Sequence, residues 1–238
     1  PEVDLSLAPI PFSPDNDGVD DELYISLDIE EPSEIAYWIL EIRDRNDRFF
    51  QEFGGRGAPA EEIVWDGRSA AGEYVISAED YPYTFEIADA YGNTSVREGT
   101  IPVDILVVRE GDQLKVRISN INFAPNSPAL ILDPGRNIGA KNLEVLSRLA
   151  EIFDKYDSYR IQVAGHAVNV TGTEREEEEE LQPLSLARAQ TVREALIDRG
   201  IASARITAVG RGGREPLVPH DDFENRWQNR RVEFILLR

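Results

Sequence analysis

The chain has 238 residues, of which 41% are hydrophobic and 29% charged, enough for two globular domains with cores of their own. Its formal net charge of −20 argues against nucleic-acid partners and anionic lipid surfaces, because both need a positive protein surface. The absence of cysteine excludes disulfides and thiolate chemistry, and no apolar run approaches the roughly 20 residues of a membrane helix. Because Pro1 stands where a starting methionine would be, we expect a longer precursor.

Up to residue 103, short stretches rich in β-branched and aromatic residues alternate with turns of Gly, Pro, Asn and Asp. Strands are predicted at residues 35–42, 73–77 and 83–87. The sequence Tyr91-Gly92-Asn93-Thr94 predicts a hairpin turn, because Gly and Asn tolerate positive φ. Closely spaced short strands of this kind predict an all-β, Ig-like sandwich over residues 1–103.

Residues 104–117 are predicted to be a β-hairpin connector, with one strand-like segment before and one after the turn Glu110-Gly111-Asp112. From residue 118 to the end, strand and helix patterns alternate. The predicted elements are strands at 121–123, 160–164, 204–209 and 231–237, and helices at 143–153 and 184–199. This βαβαβ…β order predicts an α/β domain with helices packed on its sheet.

Four local sequences occur in this half of the chain in an order typical of one family. They are Ile121-Asn122-Phe123, Gly165-His166, Leu184-Ser185-Leu186-Ala187-Arg188-Ala189 and Asn229-Arg230-Arg231-Val232-Glu233. Together they resemble the OmpA-like domain, which also occurs in peptidoglycan-associated lipoproteins and flagellar stator proteins, over residues 118–238. The resemblance implies a non-catalytic, periplasmic, outer-membrane-associated module that binds the stem peptide of peptidoglycan and links envelope and wall.

The same resemblance assigns ligand-binding residues. Arg188 and Arg230 match two family positions that contact the peptide, but Val168 replaces an Asp and Leu181 replaces an Asn. The remaining contacts implied by the resemblance are Asn122, His166, Asn169 and Ser185.

The substitution of Asp by Val168 changes the expected ligand. The side chain of meso-diaminopimelate ends in a carboxylate, which suits a planar guanidinium, and an ammonium, which suits a carboxylate. Without that Asp, the ammonium has no counter-ion. We therefore expect either a different wall peptide, such as one lacking the second carboxylate, or a domain that has lost wall binding and serves as a protein–protein scaffold of the envelope. The altered turn suits a lineage with atypical wall chemistry, such as a spirochaete.

Helix geometry leaves two interpretations of Arg188 open. At 100° per residue it lies about 50° from the centre of the apolar stripe of its helix. An arginine at this edge either pairs with an acid or contacts a ligand, and for Arg230 a structural ion pair is an equal alternative.

Other polar motifs favour no chemistry. His166 and His220 are the only histidines and cannot build a typical zinc site without cysteine. The glycines of Gly210-Arg211-Gly212-Gly213 predict a turn, since the Walker spacing and its lysine are absent. The acidic run Glu176–Glu180 predicts a solvated loop or, alternatively, an extended start of the following helix. Neither an enzyme nor a cofactor is predicted.

The N-terminal half carries a second resemblance. The sequence from Phe12 to Asp21, with Trp65-Asp66-Gly67-Arg68 and Asp89-Ala90-Tyr91-Gly92-Asn93, resembles Ig-like modules of the flagellar-hook-capping (FlgD) and gliding-motility type, which implies a spacer or interaction module. Asp15, Asp17, Asp20 and Asp21 have a spacing that suits calcium, but no Glu closes an EF-hand loop. Asx turns explain the same residues, and we predict no metal.

Overall fold

A computed structural model describes all 238 residues, which form two compact units, residues 1–106 and 107–238. The N-terminal unit contains strands and no helix. Its strands are β1 Glu2–Ala8, β2 Leu23–Glu30, β3 Ile35–Arg43, β4 Phe49–Arg56, β5 Glu62–Trp65, β6 Asp80–Asp89 and β7 Thr94–Pro102.

Two antiparallel sheets, ordered β1-β2-β5 and β4-β3-β6-β7, share one hydrophobic core in this unit. Strand β2 shows the alternation expected of a sheet with one packed face, since Leu23, Ile25 and Leu27 are buried and Tyr24 is exposed. Phe12, Trp65, Tyr81 and Phe85 are among the largest fully buried side chains. The prediction of an all-β N-terminal unit is therefore confirmed.

Two motifs of the N-terminal unit meet in its core. The rings of Phe12 and Trp65 lie 5.5 Å apart, centroid to centroid. Gly67 has φ +78°, and a Cβ there would lie 2.7 Å from Cγ of Pro14, so only glycine fits. The segments that carry the N-terminal resemblance thus pack on one another.

Two local predictions, a turn and a strand, can be compared directly with the structure. The hairpin turn is correct: Gly92 has φ +86°, and the carboxylate of Asp89 accepts hydrogen bonds from the N–H groups of Tyr91 and Asn93. The strand at 73–77 is wrong. Its backbone bonds instead to the preceding turn, because Val75 N–H donates to Gly67 and Glu73 accepts from Ser69.

The C-terminal unit combines a five-stranded sheet with helices. Its elements are β8 Val108–Glu110, β9 Gln113–Ile118, α1 Asn137–Lys155, β10 Arg160–Gly165, α2 Glu174–Glu176, a π-helical turn Glu177–Leu181, α3 Gln182–Ile197, β11 Ile206–Gly210 and β12 Val232–Leu237, with 3-10 turns Ser203–Arg205 and Arg226–Asn229. The strand order is β11-β10-β12-β9-β8. Strands β10 and β11 are parallel, and all other neighbours are antiparallel.

Two predicted elements differ from the structure here. The hairpin expected at 104–117 exists as β8–β9, but it belongs to this sheet, since β9 pairs with β12 and places Val116 opposite Phe234. Residues 121–123 are not a strand, and only Phe123 makes a single bridge, to Leu130. Asn122 N–H instead donates to Asn142 of α1, and the Phe123 ring lies beside Arg188 of α3.

The helices cover the sheet with the apolar stripes that the sequence predicts. Leu146, Leu149 and Phe153 of α1 are fully buried, and the Phe153 ring lies 5.2 Å from that of Phe234 on β12. In α3 the residues Ala189, Val192 and Leu196 are likewise fully buried. None of the helices has the length and apolar character needed to span a bilayer.

Candidate functional site

Three loops and one helix end are joined around the first turn of α3. The turn after β10 meets the loop after β11, because Ala167 N–H donates to the carbonyl of Gly212 at 2.7 Å. Gly212 N–H in turn donates to Oγ of Ser185 on α3 at 2.9 Å. A Cβ at Gly165 would lie 2.1 Å from the carbonyl oxygen of Ser185, so glycine permits α3 to approach the end of β10 this closely.

Arg188 lies half-buried on α3 and points toward the loop 119–131. Its Nε–H donates to the carbonyl of Ser127 at 3.1 Å, and its guanidinium lies 4.9 Å from the centroid of the Phe123 ring. Burial and then the nearby Arg230 lower the pKa of Arg188, and no carboxylate pairs with it. The first alternative for Arg188, an ion pair within the protein, is therefore wrong.

Arg230 is exposed, and its side chain makes no hydrogen bond or ion pair. The preceding residue holds it in place: buried Asn229 accepts hydrogen bonds from Leu217 N–H and Val218 N–H and donates one to the Val218 carbonyl. The structural ion pair considered for Arg230 is absent. Arg188 and Arg230 thus repel one another electrostatically, and neither forms an ion pair with an acid.

The two units differ greatly in net charge, which bears on the pair Arg188 and Arg230. Residues 1–106 contain 25 Asp and Glu and six arginines, a net charge of −19, which leaves 20 acids and 19 bases, a net charge of −1, for residues 107–238. The acidic character of the chain therefore resides in the N-terminal unit. Within the C-terminal unit neither Arg188 nor Arg230 pairs with a carboxylate, so together they offer positive charge that no acid of the protein compensates.

The structure places His166 and Ser185 inside the protein, with 3% and 1% exposure. Ser185 Oγ donates to the Gln182 carbonyl and accepts from Gly212 N–H, so it joins α3 to the loop. His166 lies against Arg231 and Glu233, with Nε2 3.7 Å from a Glu233 carboxylate oxygen. Neither side chain reaches the surface in this structure, and the ligand contacts expected of them stay predictions.

Asn122 and Asn169 use their side chains within their own loops. The amide of Asn122 donates to the Asn120 carbonyl at 2.7 Å. Asn169 accepts from Gly172 N–H at 2.7 Å, and its amide faces Thr173 and Glu177 at longer distances. Both residues shape the rim of the site, and each is partly exposed.

Val168 and Leu181, the two positions that depart from the family pattern, are each only 9% exposed. Both are apolar, so neither can serve as a counter-ion to an ammonium group. Neither position therefore supplies a carboxylate to this part of the domain.

The acidic run is helical rather than a loop, so the alternative interpretation of Glu176–Glu180 is correct. It lies in α2 and the π-helical turn that lead directly into α3. Glu177 is buried, and its carboxylate accepts from Gly213 N–H at 2.9 and 3.1 Å. A Cβ at Gly212 would lie 1.7 Å from a carboxylate oxygen of Glu177, which explains the glycine. The run thus fixes the loop that follows β11.

A buried charge cluster lies beside the site. Arg231 donates to Glu233 at 2.8 Å, and Arg117 donates to the same oxygen at 3.0 Å. Burial raises the pKa of Glu233, but Arg231, His166 and Arg117 outweigh it and hold the pKa below its usual value. Burial, then Arg231, lowers the pKa of His166 to about 4, so its imidazole is neutral at pH 7. Its contact with Glu233 is therefore not an ion pair there.

Three residues that contribute to the site were not predicted from the sequence. Ser127 acts through its carbonyl, Asn142 acts from the buried side of α1, and Glu177 lay in a run expected to be solvated. No sequence signal marks the first two. Spacing does not mark the third either, because Glu177 lies 36 residues before Gly213.

In the N-terminal unit the carboxylates of Asp15, Asp17 and Asp21 lie within 4.8 Å of one another. They accept hydrogen bonds from backbone N–H groups of the same loop, including those of Gly18 and Val19. The bonds from Asp17 N–H to Asp15 and from Val19 N–H to Asp17 form the Asx turns that the sequence favours, and the absence of a metal stays a prediction.

Comparison with known proteins agrees with the C-terminal geometry. Residues 122–230 match the family model of the OmpA family. These residues form an OmpA-like domain. The chain is 31% identical over 118 residues to "Peptidoglycan-binding protein ArfA" of Mycobacterium tuberculosis, which covers 50% of this chain and 35% of that protein. It is 34% identical over 96 residues to "Peptidoglycan-associated lipoprotein" of Mesorhizobium japonicum, covering 40% and 54%.

Among solved structures, the cell wall anchor of the type VI secretion system (T6SS) of Pseudomonas aeruginosa is 30% identical, with a TM-score of 0.43, covering 56% of this chain and 87% of that one. The chain spans about a third of the length of the mycobacterial relative and about half that of the lipoprotein. The matches to these two relatives and to the family model cover at most about half of this chain.

Proposed function

We propose that the OmpA-like domain binds the stem peptide of peptidoglycan without catalysis, through a divergent pocket, and that the protein links envelope and wall from a periplasmic, outer-membrane-associated position. The observation that carries the proposal is the pair Arg188 and Arg230, which lacks any acidic partner. A planar guanidinium donates two parallel hydrogen bonds to a carboxylate, the group that ends the third residue of a diaminopimelate stem. Similarity to a mycobacterial peptidoglycan-binding protein and to a peptidoglycan-associated lipoprotein supports wall binding.

The divergence concerns the ammonium group. With Val168 in the turn and Leu181 on the helix, a ligand ammonium would lie near two cations and no anion. The pocket therefore favours a peptide that keeps the distal carboxylate and lacks the distal ammonium, rather than one lacking the carboxylate. The same proposal includes a bacterial source whose wall chemistry is atypical, such as a spirochaete.

The N-terminal unit is proposed to be an Ig-like spacer or interaction module of the FlgD type. Its two sheets with one shared core and the contact between Phe12 and Trp65 support this assignment. A protein–protein scaffold without wall binding is the second candidate, favoured by Val168 and Leu181 and by the −19 charge of residues 1–106.

Removal of Arg188 tests the proposed function. Titration calorimetry with stem peptides that carry 2-aminopimelate, diaminopimelate or lysine at the third position is expected to give affinities in that descending order. Arg188→Ala should weaken binding of the first peptide at least about 100-fold, since a charge-assisted, partly desolvated contact contributes 2–5 kcal/mol. Arg199→Ala is the matched control, because this arginine bonds only to the Ala195 carbonyl of the same helix.

The outcomes separate the two candidate functions. Binding by the unmodified chain that persists in Arg188→Ala would show that another surface holds the peptide. No heat with any peptide, together with no retention on purified sacculi, would leave the scaffold as the function.

Restoring the acid in the turn tests the divergence. Val168→Asp is expected to raise affinity for the diaminopimelate peptide about tenfold, because the new carboxylate neutralises the ligand ammonium. Val170→Asp, two residues along the same turn and 63% exposed, makes the same charge change and should leave the ranking of peptides unaltered. Equal shifts in the two variants would mean that general charge, not the position of Val168, sets selectivity.

A further inference from the structure

Asn142 of α1 holds both ends of the loop 119–131. The side chain is fully buried and makes three hydrogen bonds to that loop. Its Oδ1 accepts from Asn122 N–H at 2.9 Å, and its Nδ2 donates to the carbonyls of Asn122 at 2.7 Å and Ile131 at 2.8 Å. One amide thus ties two points of the loop that lie nine residues apart in sequence.

Between these two points the loop is closed on itself. Phe123 and Leu130 form a β-bridge, and Ala124 N–H donates to the Ala129 carbonyl at 2.8 Å. Ser127 lies at the far end, and its N–H donates to the Ala124 carbonyl at 3.1 Å. The segment therefore behaves as a small hairpin whose base is fixed by Asn142.

This hairpin supplies both the hydrogen-bond acceptor and the aromatic ring that the Arg188 side chain contacts. The Ser127 carbonyl accepts from Nε–H, and the Phe123 ring lies beneath the guanidinium. Because no carboxylate orients Arg188, these two groups alone set its direction. A shift of the hairpin would move both at once.

We propose that Asn142 is a positioning residue for Arg188, acting through the hairpin at 119–131 and not by contact with a ligand. The effect on peptide binding rests on the proposed function, whereas the effect on Arg188 itself does not. Asn is required because a buried side chain at this position must both accept from one N–H and donate to two carbonyls. Aspartate has the same shape but loses both donors and turns a carboxylate toward two carbonyl oxygens.

The test is NMR of the arginine Nε–H signals in Asn142→Asp. The Arg188 Nε–H is expected to shift and to exchange with solvent about tenfold faster, because its acceptor on the hairpin moves away. Arg193 and Arg205 provide internal controls in the same unit, since their Nε–H groups donate to the carbonyls of Ile206 and Tyr159. Their signals should remain unchanged, which a merely destabilising substitution would not allow.

Asn122→Ala is the matched variant on the loop. It removes only the amide bond to the Asn120 carbonyl and keeps the main-chain bonds to Asn142, so Arg188 should keep its signal. An unchanged Arg188 signal in Asn142→Asp would overturn the proposal, and so would equal changes at Arg188, Arg193 and Arg205.

Peptide titration separates this inference from the proposed function. If the unmodified chain binds the 2-aminopimelate peptide, Asn142→Asp should bind it about tenfold more weakly. If the chain binds no peptide, the proposed function fails while the NMR result still decides the role of Asn142. Should Asn142→Asp not fold, hydrogen exchange of the unmodified chain replaces it: Asn122 N–H and Arg188 Nε–H should share one opening equilibrium, and different opening equilibria would overturn the proposal.

Discussion

Glu233→Ala is expected to lower the free energy of unfolding of the C-terminal unit by about 3–5 kcal/mol. The substitution removes the acceptor of both Arg231 and Arg117, and Arg231 is only 5% exposed. A buried guanidinium left without its carboxylate keeps the full desolvation cost and loses the compensating attraction. Urea unfolding followed through the amide signals of β12 measures this loss in the unit concerned.

Two comparison variants make this expectation specific. Glu215→Ala removes an acid whose ion pair with Arg211, at 3.7 Å, is exposed, so it should cost no more than about 0.5 kcal/mol. Replacing both members of the buried pair, Arg231→Met with Glu233→Leu, should recover most of the loss, because Arg117 keeps its partner Glu110. A loss under about 1 kcal/mol for Glu233→Ala would contradict the assignment of a tightly coupled buried pair.

Acidification is expected to destabilise the same unit well before its carboxylates titrate. His166 has a pKa of about 4 in the folded chain, against 6.5 for an ordinary histidine. A depressed histidine pKa means that, below pH 6.5, the unfolded chain binds a proton that the folded chain refuses, so stability falls as pH falls. The slope is about 1.4 kcal/mol per pH unit, which amounts to ~2 kcal/mol between pH 6.5 and 5.

The charged groups that face His166 are Arg231, Glu233, Arg211 and Arg117. The arginines do not titrate in this range. Glu233 has a pKa held below its usual 4.5, so its contribution is lost only at lower pH. The interval from pH 6.5 to 5 therefore reports on His166.

The measurement is urea unfolding at half-unit pH steps, again followed at β12. His166→Gln removes the titrating group and should flatten the dependence between pH 6.5 and 5, whatever its effect on stability at pH 7. A slope that survives in His166→Gln would mean that another group carries the proton linkage.

Periodicity and turn chemistry determined many of the elements in both units. The apolar stripe of α3 and the strands on either side of it follow from side-chain spacing, because one face of each element must be buried. Gly92 marks its turn for a similarly local reason, a positive φ. The segments at 73–77 and 121–123 failed because their backbone hydrogen bonds go to turns and loops that spacing does not encode.

Acidic and polar positions were less predictable than apolar ones. A run of five glutamates predicts a solvated segment, and Glu178, Glu179 and Glu180 are exposed. Glu176 instead accepts from Thr171 N–H, and Glu177 turns inward to meet the N–H of Gly213. Likewise the sequence of Ser185 and His166 matches a ligand-binding pattern, whereas both are buried in contacts with the protein itself. Whether a polar side chain faces a ligand or its own backbone depends on neighbours distant in sequence.

For Arg188 the sequence by itself determined the residue, its place at the edge of a helix and its likeness to a carboxylate-binding position, because these depend on local order and spacing alone. Only the tertiary structure decided that no acid neutralises it and that Arg230 lies nearby. It also decided that Ser127, Phe123 and Asn142 set its direction, because those residues precede it by 46 to 65 positions and meet it only when α1, α3 and the loop pack together.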